Sequence, residues 1–264
     1  MKYVLVTGAA GGMGMAITKR LTDKGYFVFA LDYRDFEVGK NTKKIICNIR
    51  DTESVKAAFK KVSSLCDNLF AIVHTAGIYD LDSLVEMSEE RLTKIFDINL
   101  FGVYRLNKAF FPLLKKGSRI IITSSELAPL DPLPFTGIYA ITKAAVEKYA
   151  YSLRMEMNLL GIKVSVIRPG ATKTPLLGDS TSALDRFVEN TEIYKTNSKR
   201  FKKIVDGVEA RNVEPEVIGK AVHRAIKSIM PRYVYNINRN PLLLILNALP
   251  ERLQNLIIKL ILTT

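Results

Sequence analysis

Along most of the chain, short apolar runs alternate with segments of helical period. Residues 3–7, 27–31, 44–47, 69–74, 119–123 and 163–167 are rich in β-branched and other apolar side chains and read as strands. Their apolar positions are nearly continuous rather than alternating, so helices are expected to cover both faces of the sheet. That pattern predicts a single-domain α/β fold with a doubly wound parallel sheet, whose ligands bind beyond the carboxyl ends of the strands. No repeat or low-complexity tract interrupts residues 1–240, which are expected to form one catalytic domain.

Two stretches depart from the alternation. Residues 174–213 are polar and irregular, with Leu184, Phe187, Val188 and Tyr194 spaced for one short helix. A connection this long is usually functional and is read as a lid over a substrate, with Leu176, Leu177, Phe187, Val188 and Tyr194 suggesting an apolar pocket. Residues 241–264 form an apolar helical extension broken by Pro250, Glu251 and Arg252. Each half is too short to span a bilayer. In the second half Leu253, Leu256, Ile257, Leu260 and Ile261 share one helical face, widened by Ile258 and Leu262. That face either packs on protein, within one subunit or across a dimer, or makes peripheral membrane contact flanked by Arg232, Arg239, Arg252 and Lys259.

The first strand runs into Thr7-Gly8-Ala9-Ala10-Gly11-Gly12-Met13-Gly14, followed by a helix. Backbone amides at that helix start can hold a pyrophosphate, and glycine allows close approach. Asp32 ends the second strand 18 residues beyond Gly14, where a carboxylate meets adenosine ribose hydroxyls and repels a 2′-phosphate. NAD is therefore expected over NADP, although Arg34 is placed to reach a phosphate if Asp32 turns away.

Tyr139 and Lys143 stand one helical turn apart, so their side chains share a face. A phenol titrates near 10, and lowering it by roughly three units takes about 4 kcal/mol, within reach of a desolvated ammonium plus a cationic nicotinamide. Ser124 and Ser125 follow the strand at 119–123, where a hydroxyl can hold the substrate oxygen that Tyr139 protonates or deprotonates. Serine nucleophilic catalysis is disfavoured, because the glycine-flanked elbow is absent and only His74 and His223 could assist.

Composition narrows the setting. The net charge of +13 permits attraction to anionic lipid, nucleic acid or acidic substrates without choosing among them. The lysines are scattered, and no zinc-finger or ribonucleoprotein signature is present, so no nucleic-acid partner is expected. Two cysteines, Cys47 and Cys66, match no metal spacing or disulfide framework and suit a reducing, cytoplasmic setting, and no metal is expected.

Taken in order, Thr7-Gly8-x-x-x-Gly12-x-Gly14, Asp32, Ala76-Gly77, Asn99, Ser125, Tyr139-x-x-x-Lys143 and Pro169-Gly170-x-x-x-Thr174 resemble the short-chain dehydrogenase/reductase family over about residues 3–235. The resemblance implies Tyr139 as general acid/base, Ser125 as holder of the substrate oxygen, and Lys143 as ligand of the nicotinamide ribose. It implies that Asn99 anchors a water on the proton path; an asparagine there can also simply cap or kink its helix, and the two readings are compatible. Met13 lies within the phosphate loop. Pro169-Gly170 would face the nicotinamide, and Thr174 would bond its carboxamide or the pyrophosphate. Dimers or tetramers are common in the family.

Three departures stand out. Thr75 replaces the usual structural asparagine and follows His74, read as structural. Asn48 occupies the place of an adenine-contacting aspartate, and its oxygen can still accept that bond. The loop between Ser125 and Tyr139, with Pro129, Pro132 and Pro134, is about one residue longer than usual, so strict counting would select Glu126. Glu126 is rejected because a carboxylate repels developing alkoxide charge, and Ser124 remains a substitute for Ser125. The expected reaction interconverts a secondary alcohol and a ketone on a lipophilic skeleton. The alternatives are an NADPH-dependent 3-oxoacyl thioester reductase, or a non-catalytic dinucleotide-binding scaffold or redox sensor.

Overall fold

The computed structural model describes residues 1–209 and 211–263, leaving aside the side chains of Leu176, Leu177, Asp179, Val208 and Glu209. Seven parallel strands, β1 (Lys2–Thr7), β2 (Tyr26–Asp32), β3 (Thr42–Ile46), β4 (Leu69–His74), β5 (Leu114–Thr123), β6 (Lys163–Pro169) and β7 (Val234–Ile237), form one sheet in the order β3-β2-β1-β4-β5-β6-β7. The strands at 44–47 and 119–123 begin earlier than the pattern predicts, and β7 was not predicted at all. Edge position explains β3 and β7: their residues are mostly half-exposed, so they lack the buried-strand signature.

Helices α1 (Gly12–Thr22) and α8 (Pro215–Lys227) cover one face, with Ile17, Leu21, Ile218 and Val222 buried against Val4, Val28 and Val73. On the other face α2 (Thr52–Ser63), α4 (Gly102–Phe110) and α5 (Gly137–Leu159) bury Val55, Leu106, Phe110 and Val146 against Leu5, Phe29 and Ile72. Cys47 and Cys66 are free buried thiols, and burial pushes Cys47 up to about 11. Between α3 (Glu89–Phe96) and α4 the helix passes through a π-helical turn, Asp97–Phe101, which carries Asn99.

Residues 174–213 hold two helices, α6 (Pro175–Asn190) and α7 (Lys195–Glu209), rather than one. They converge on Phe135, whose ring lies 4.6 Å from Phe187, 5.1 Å from Tyr194 and 5.4 Å from Phe201. Phe135 has φ +68°, a left-handed conformation that costs a bulky residue about 1–3 kcal/mol and persists where packing over-determines it. The tail forms α9 (Pro241–Asn247) and α10 (Glu251–Thr263), the latter packed on α7 through buried Leu262. No described helix is long and apolar enough to cross a membrane.

The sheet order reverses direction between β1 and β4, which opens a crevice at their carboxyl ends. His74, the last residue of β4, turns away from it: its Nε2 lies 2.9 Å from Asn107 Oδ1. Burial pushes this imidazole from 6.5 down to about 4. The unfolded chain therefore binds a proton that the folded protein excludes, so the contribution to stability is full above pH 6.5 and declines as pH falls toward 4. The loss amounts to about 3 kcal/mol at most. Thermal melts between pH 7 and 4 are expected to show a smaller acid-induced fall in Tm for His74→Gln than for the parent protein, and equal falls would contradict this assignment.

Candidate active site

The glycine loop packs against itself and against the end of β4. Thr7 Oγ1 accepts from the amides of Thr75 and Ala76, each at 3.3 Å, while the Thr75 hydroxyl donates to the Thr7 carbonyl. Thr75 therefore ties the two strand ends together in place of the asparagine. A Cβ on Gly14 would lie 2.1 Å from the Gly8 oxygen, and one on Gly8 would lie 2.6 Å from the Ala76 nitrogen, so the loop tolerates no side chain there. Gly12 faces the Thr174 methyl across the crevice, and Met13 lines the adjoining cavity. The half-buried start of α1, which no side chain caps, can hold an anionic group on its amides.

Asp32 is buried at the end of β2 and is already engaged. Its Oδ2 accepts from the Ala10 amide at 3.0 Å, and its Oδ1 accepts from the Arg34 amide at 3.0 Å and from Arg34 Nε at 3.3 Å. The same carboxylate thus braces the glycine loop and folds Arg34 back upon itself. Asn48 is exposed, and its side-chain oxygen accepts from the Arg50 amide at 3.1 Å.

Tyr139, Lys143, Ser125 and Asn99 converge where β5 meets α5. Tyr139 and Ser125 share a hydrogen bond, whereas Ser124 donates to the Lys143 carbonyl at 3.4 Å and so points away. Of the two serines, Ser125 is the one that faces the phenol. Lys143 Nζ lies 5.5 Å from the Tyr139 ring centroid and donates to the Thr123 carbonyl at 3.4 Å. Asn99 accepts from the Ile78 amide at 2.9 Å and donates to the Ile78 carbonyl at 3.0 Å and to Thr142 Oγ1 at 3.1 Å, which pins the segment after Gly77 to α5. Its oxygen and Lys143 Nζ both border Gly77.

Shared burial moves the pair's ionisation in opposite directions. It pushes the Tyr139 phenol up to about 12, opposed by the Ser125 hydrogen bond, and the Lys143 ammonium down to about 8, opposed by the Glu147 carboxylate one turn along. Lys143 by itself does not offset the burial of the phenol.

A cavity of about 380 Å³ opens beside this cluster, with Tyr139, Ser125, Lys143, Gly77, Pro169 and Gly170 among its lining. A Cβ on Gly170 would lie 2.1 Å from the Asn238 oxygen, so only glycine permits this turn. Leu243, Leu246, Ile257, Ile258 and Leu262 from the tail form part of the wall, with Phe201, Ile204 and Val205 from α7. Phe187 and Tyr194, expected in the pocket, instead support it from behind in the Phe135 cluster, and Val188 is half-buried without lining it. The side chains of Leu176 and Leu177 lie outside the described residues.

Sequence reasoning missed Tyr79 as a member of the site and the structural role of Glu126. Tyr79, whose ring lies 4.6 Å from that of Tyr139, follows no motif. Glu126 is buried in the cavity wall. Its Oε2 accepts from the Asn240 amide at 2.6 Å, and its own amide donates to the Pro169 carbonyl at 2.9 Å. Burial pushes its carboxyl upward, opposed by the Asn240 amide and Arg239. Glu126 therefore joins the serine loop, the Pro169–Gly170 turn and the start of the tail, a role that counting residues could not reveal.

The short-chain dehydrogenase family model matches residues 2–185. The chain is 35% identical over 191 residues to mouse estradiol 17-beta-dehydrogenase 2, covering 67% of this chain and 50% of that protein. It is 24% identical over 233 residues to 3-ketodihydrosphingosine reductase of Bacteroides thetaiotaomicron, covering 88% and 86%. Among solved structures, the ligand-free aldohexose dehydrogenase of Thermoplasma acidophilum superimposes with a TM-score of 0.74 at 25% identity, covering 91% and 95%. The chain spans about half the length of the estradiol dehydrogenases and of the rodent D-beta-hydroxybutyrate dehydrogenases that it also matches. It belongs to the short-chain dehydrogenase family, whose members bind NAD(P).

Removing the Glu126 carboxylate strands the Asn240 amide. Glu126→Ala is expected to cost about 1–3 kcal/mol of stability in denaturant melts, and Glu126→Gln, which keeps an acceptor oxygen, distinctly less. Equal losses would mean that Glu126 fills space without bracing the tail.

Proposed function

We propose that the protein is an NAD-dependent oxidoreductase that interconverts a secondary alcohol and a ketone on a lipophilic skeleton. The observation that carries this reading is the cavity: leucine and isoleucine of the tail and Phe201, Ile204 and Val205 of α7 form much of its wall, and Tyr139 and Ser125 line it together. Tyr139 is the general acid/base, Ser125 holds the substrate oxygen, and Lys143 binds the nicotinamide ribose. Asn99 holds the proton path in register with Lys143. The relatives named for estradiol and 3-ketodihydrosphingosine fit such a substrate.

The dinucleotide, when bound, accepts or supplies the hydride. Thr7, Gly8, Gly12, Met13 and Gly14 would hold its pyrophosphate, Asn48, Ala76 and Gly77 would border its adenosine and ribose portions, and Pro169, Gly170 and Thr174 its nicotinamide. The crowding at Gly8 and Gly14 leaves a side-chain-free cradle that suits such a group. Asp32 favours NAD, and its hold on Arg34 withdraws the nearest candidate for a 2′-phosphate, which also disfavours an NADPH-dependent thioester reductase. Because burial raises the phenol, alcohol oxidation is expected to accelerate with rising pH as Tyr139 ionises. A homodimer or homotetramer in a cytoplasmic setting completes the proposal.

Tyr139→Phe is expected to lower turnover on lipophilic alcohols or ketones by roughly 10²–10⁴-fold while NADH still binds. Unchanged turnover would defeat the mechanism. Calorimetric titration is expected to show NADH binding roughly tenfold or more tighter than NADPH, and the reverse order would overturn the role given to Asp32.

A further inference from the structure

The tail helices have two apolar sides. Inward, Leu243, Leu246, Ile258 and Leu262 wall the cavity. Outward, Ile245 is 63% exposed, Leu253 42% and Leu256 51%. Between the two sides lie Leu242 and Ile261, which line the cavity and are still 61% and 52% exposed, so the rim of the cavity is itself an apolar surface. At 100° per residue, Arg252 and Lys259 fall within about 20° of each other along one edge of the Leu253–Leu256 face, while Glu251, the only acidic residue of the tail, falls on the opposite side of the helix. Neighbouring α7 is net basic, with Lys195, Lys199, Arg200, Lys202 and Lys203 against Asp206 and Glu209, and the whole chain carries +13.

We propose that α9 and α10 dock the protein on an anionic bilayer surface, lying in the interface so that the cavity rim opens onto the lipid. An amphipathic helix with an aliphatic face and cationic edges binds in this way, adding burial of its apolar side chains to attraction for acidic headgroups. Neither helix is long enough to cross the bilayer. A second copy of the chain suits the face less well. A two-fold contact through it would bring together the Arg252 and Lys259 edges of two strongly basic chains, and the face offers none of the aromatic anchors that protein interfaces favour. The geometry also gives a route: a lipophilic alcohol or ketone dissolved in the bilayer passes Leu242 and Ile261 to reach Tyr139 without crossing water. This route rests on the substrate reading above, whereas docking does not.

Docking is therefore tested without substrate, by flotation of the full chain with vesicles. Equimolar phosphatidylglycerol and phosphatidylcholine vesicles are expected to carry the protein upward at low salt, and pure phosphatidylcholine vesicles to carry less. The triple variant Ile245→Gln, Leu253→Gln, Leu256→Gln alters exposed positions outside the cavity lining and is expected to keep NADH binding while its vesicle affinity falls by roughly tenfold or more. Arg252→Gln with Lys259→Gln is expected to lower affinity for the anionic vesicles by roughly tenfold and to leave the phosphatidylcholine result unchanged. Parent protein that stays in the dense fraction with anionic vesicles, or a triple variant that floats as well as the parent, overturns the proposal. A dimer in sedimentation velocity that the triple variant dissociates also overturns it, and assigns the face to a second copy.

Discussion

A phenol and an ammonium buried side by side impose the central constraint on this protein. Taking Tyr139 and Lys143 out of water favours the neutral form of each, which is why the phenol rises to about 12 and the ammonium falls to about 8. A rigid frame is needed to keep such a pair in one geometry. α5 spaces them by one turn, the Thr123 carbonyl accepts from the ammonium, the Glu147 carboxylate favours its charge from a distance while pairing with Arg168, and Asn99 clamps the chain after β4 onto the same helix through Thr142. In the oxidation direction the reaction proposed for the site then depends on a further positive charge beside the phenol, which an oxidised dinucleotide in the adjoining crevice would supply.

The architecture brings that crevice to the pair. The reversal of strand order between β1 and β4 opens it, the self-packed glycine loop floors it, and Asp32 braces the loop through Ala10. On the substrate side, the loop that carries Ser125 is fastened at both ends. Glu126 and Asp131 bond to Asn240 and Asn247 of the tail, and Phe135 is plugged into the aromatic cluster of α6 and α7. The tail is therefore a wall of the site rather than an appendage, and the Tyr139 cluster and its apolar cavity form one construction.

How much of this was legible in the sequence depended on how local its cause was. The glycine loop, Asp32 and the Tyr139–Lys143 pair are set by spacing within one strand, turn or helix; Met13 of the loop lines the same cavity as the pair, and Asp32 bonds to the loop at Ala10. β7 escaped notice because an edge strand with half-exposed residues carries no buried-strand pattern. The two lid helices read as irregular because their apolar residues are organised around Phe135, some fifty residues away in the chain, and not around a simple helical stripe. The tail's amphipathic pattern was visible, but which side faces the cavity was decided by α7. Arg34 looked available to a phosphate until the fold paired it with Asp32. The threonine in place of asparagine made sense only once Thr75 and Thr7 were seen to close the strand ends together.

The central claim is that the buried phenol ionises only when the charge of an oxidised dinucleotide is placed beside it. Calorimetric titration with NAD⁺ in buffers of different ionisation enthalpy measures the protons exchanged on binding. At pH 8 to 9 the account predicts net proton release that is lost in Tyr139→Phe; identical proton exchange in the two proteins would contradict it.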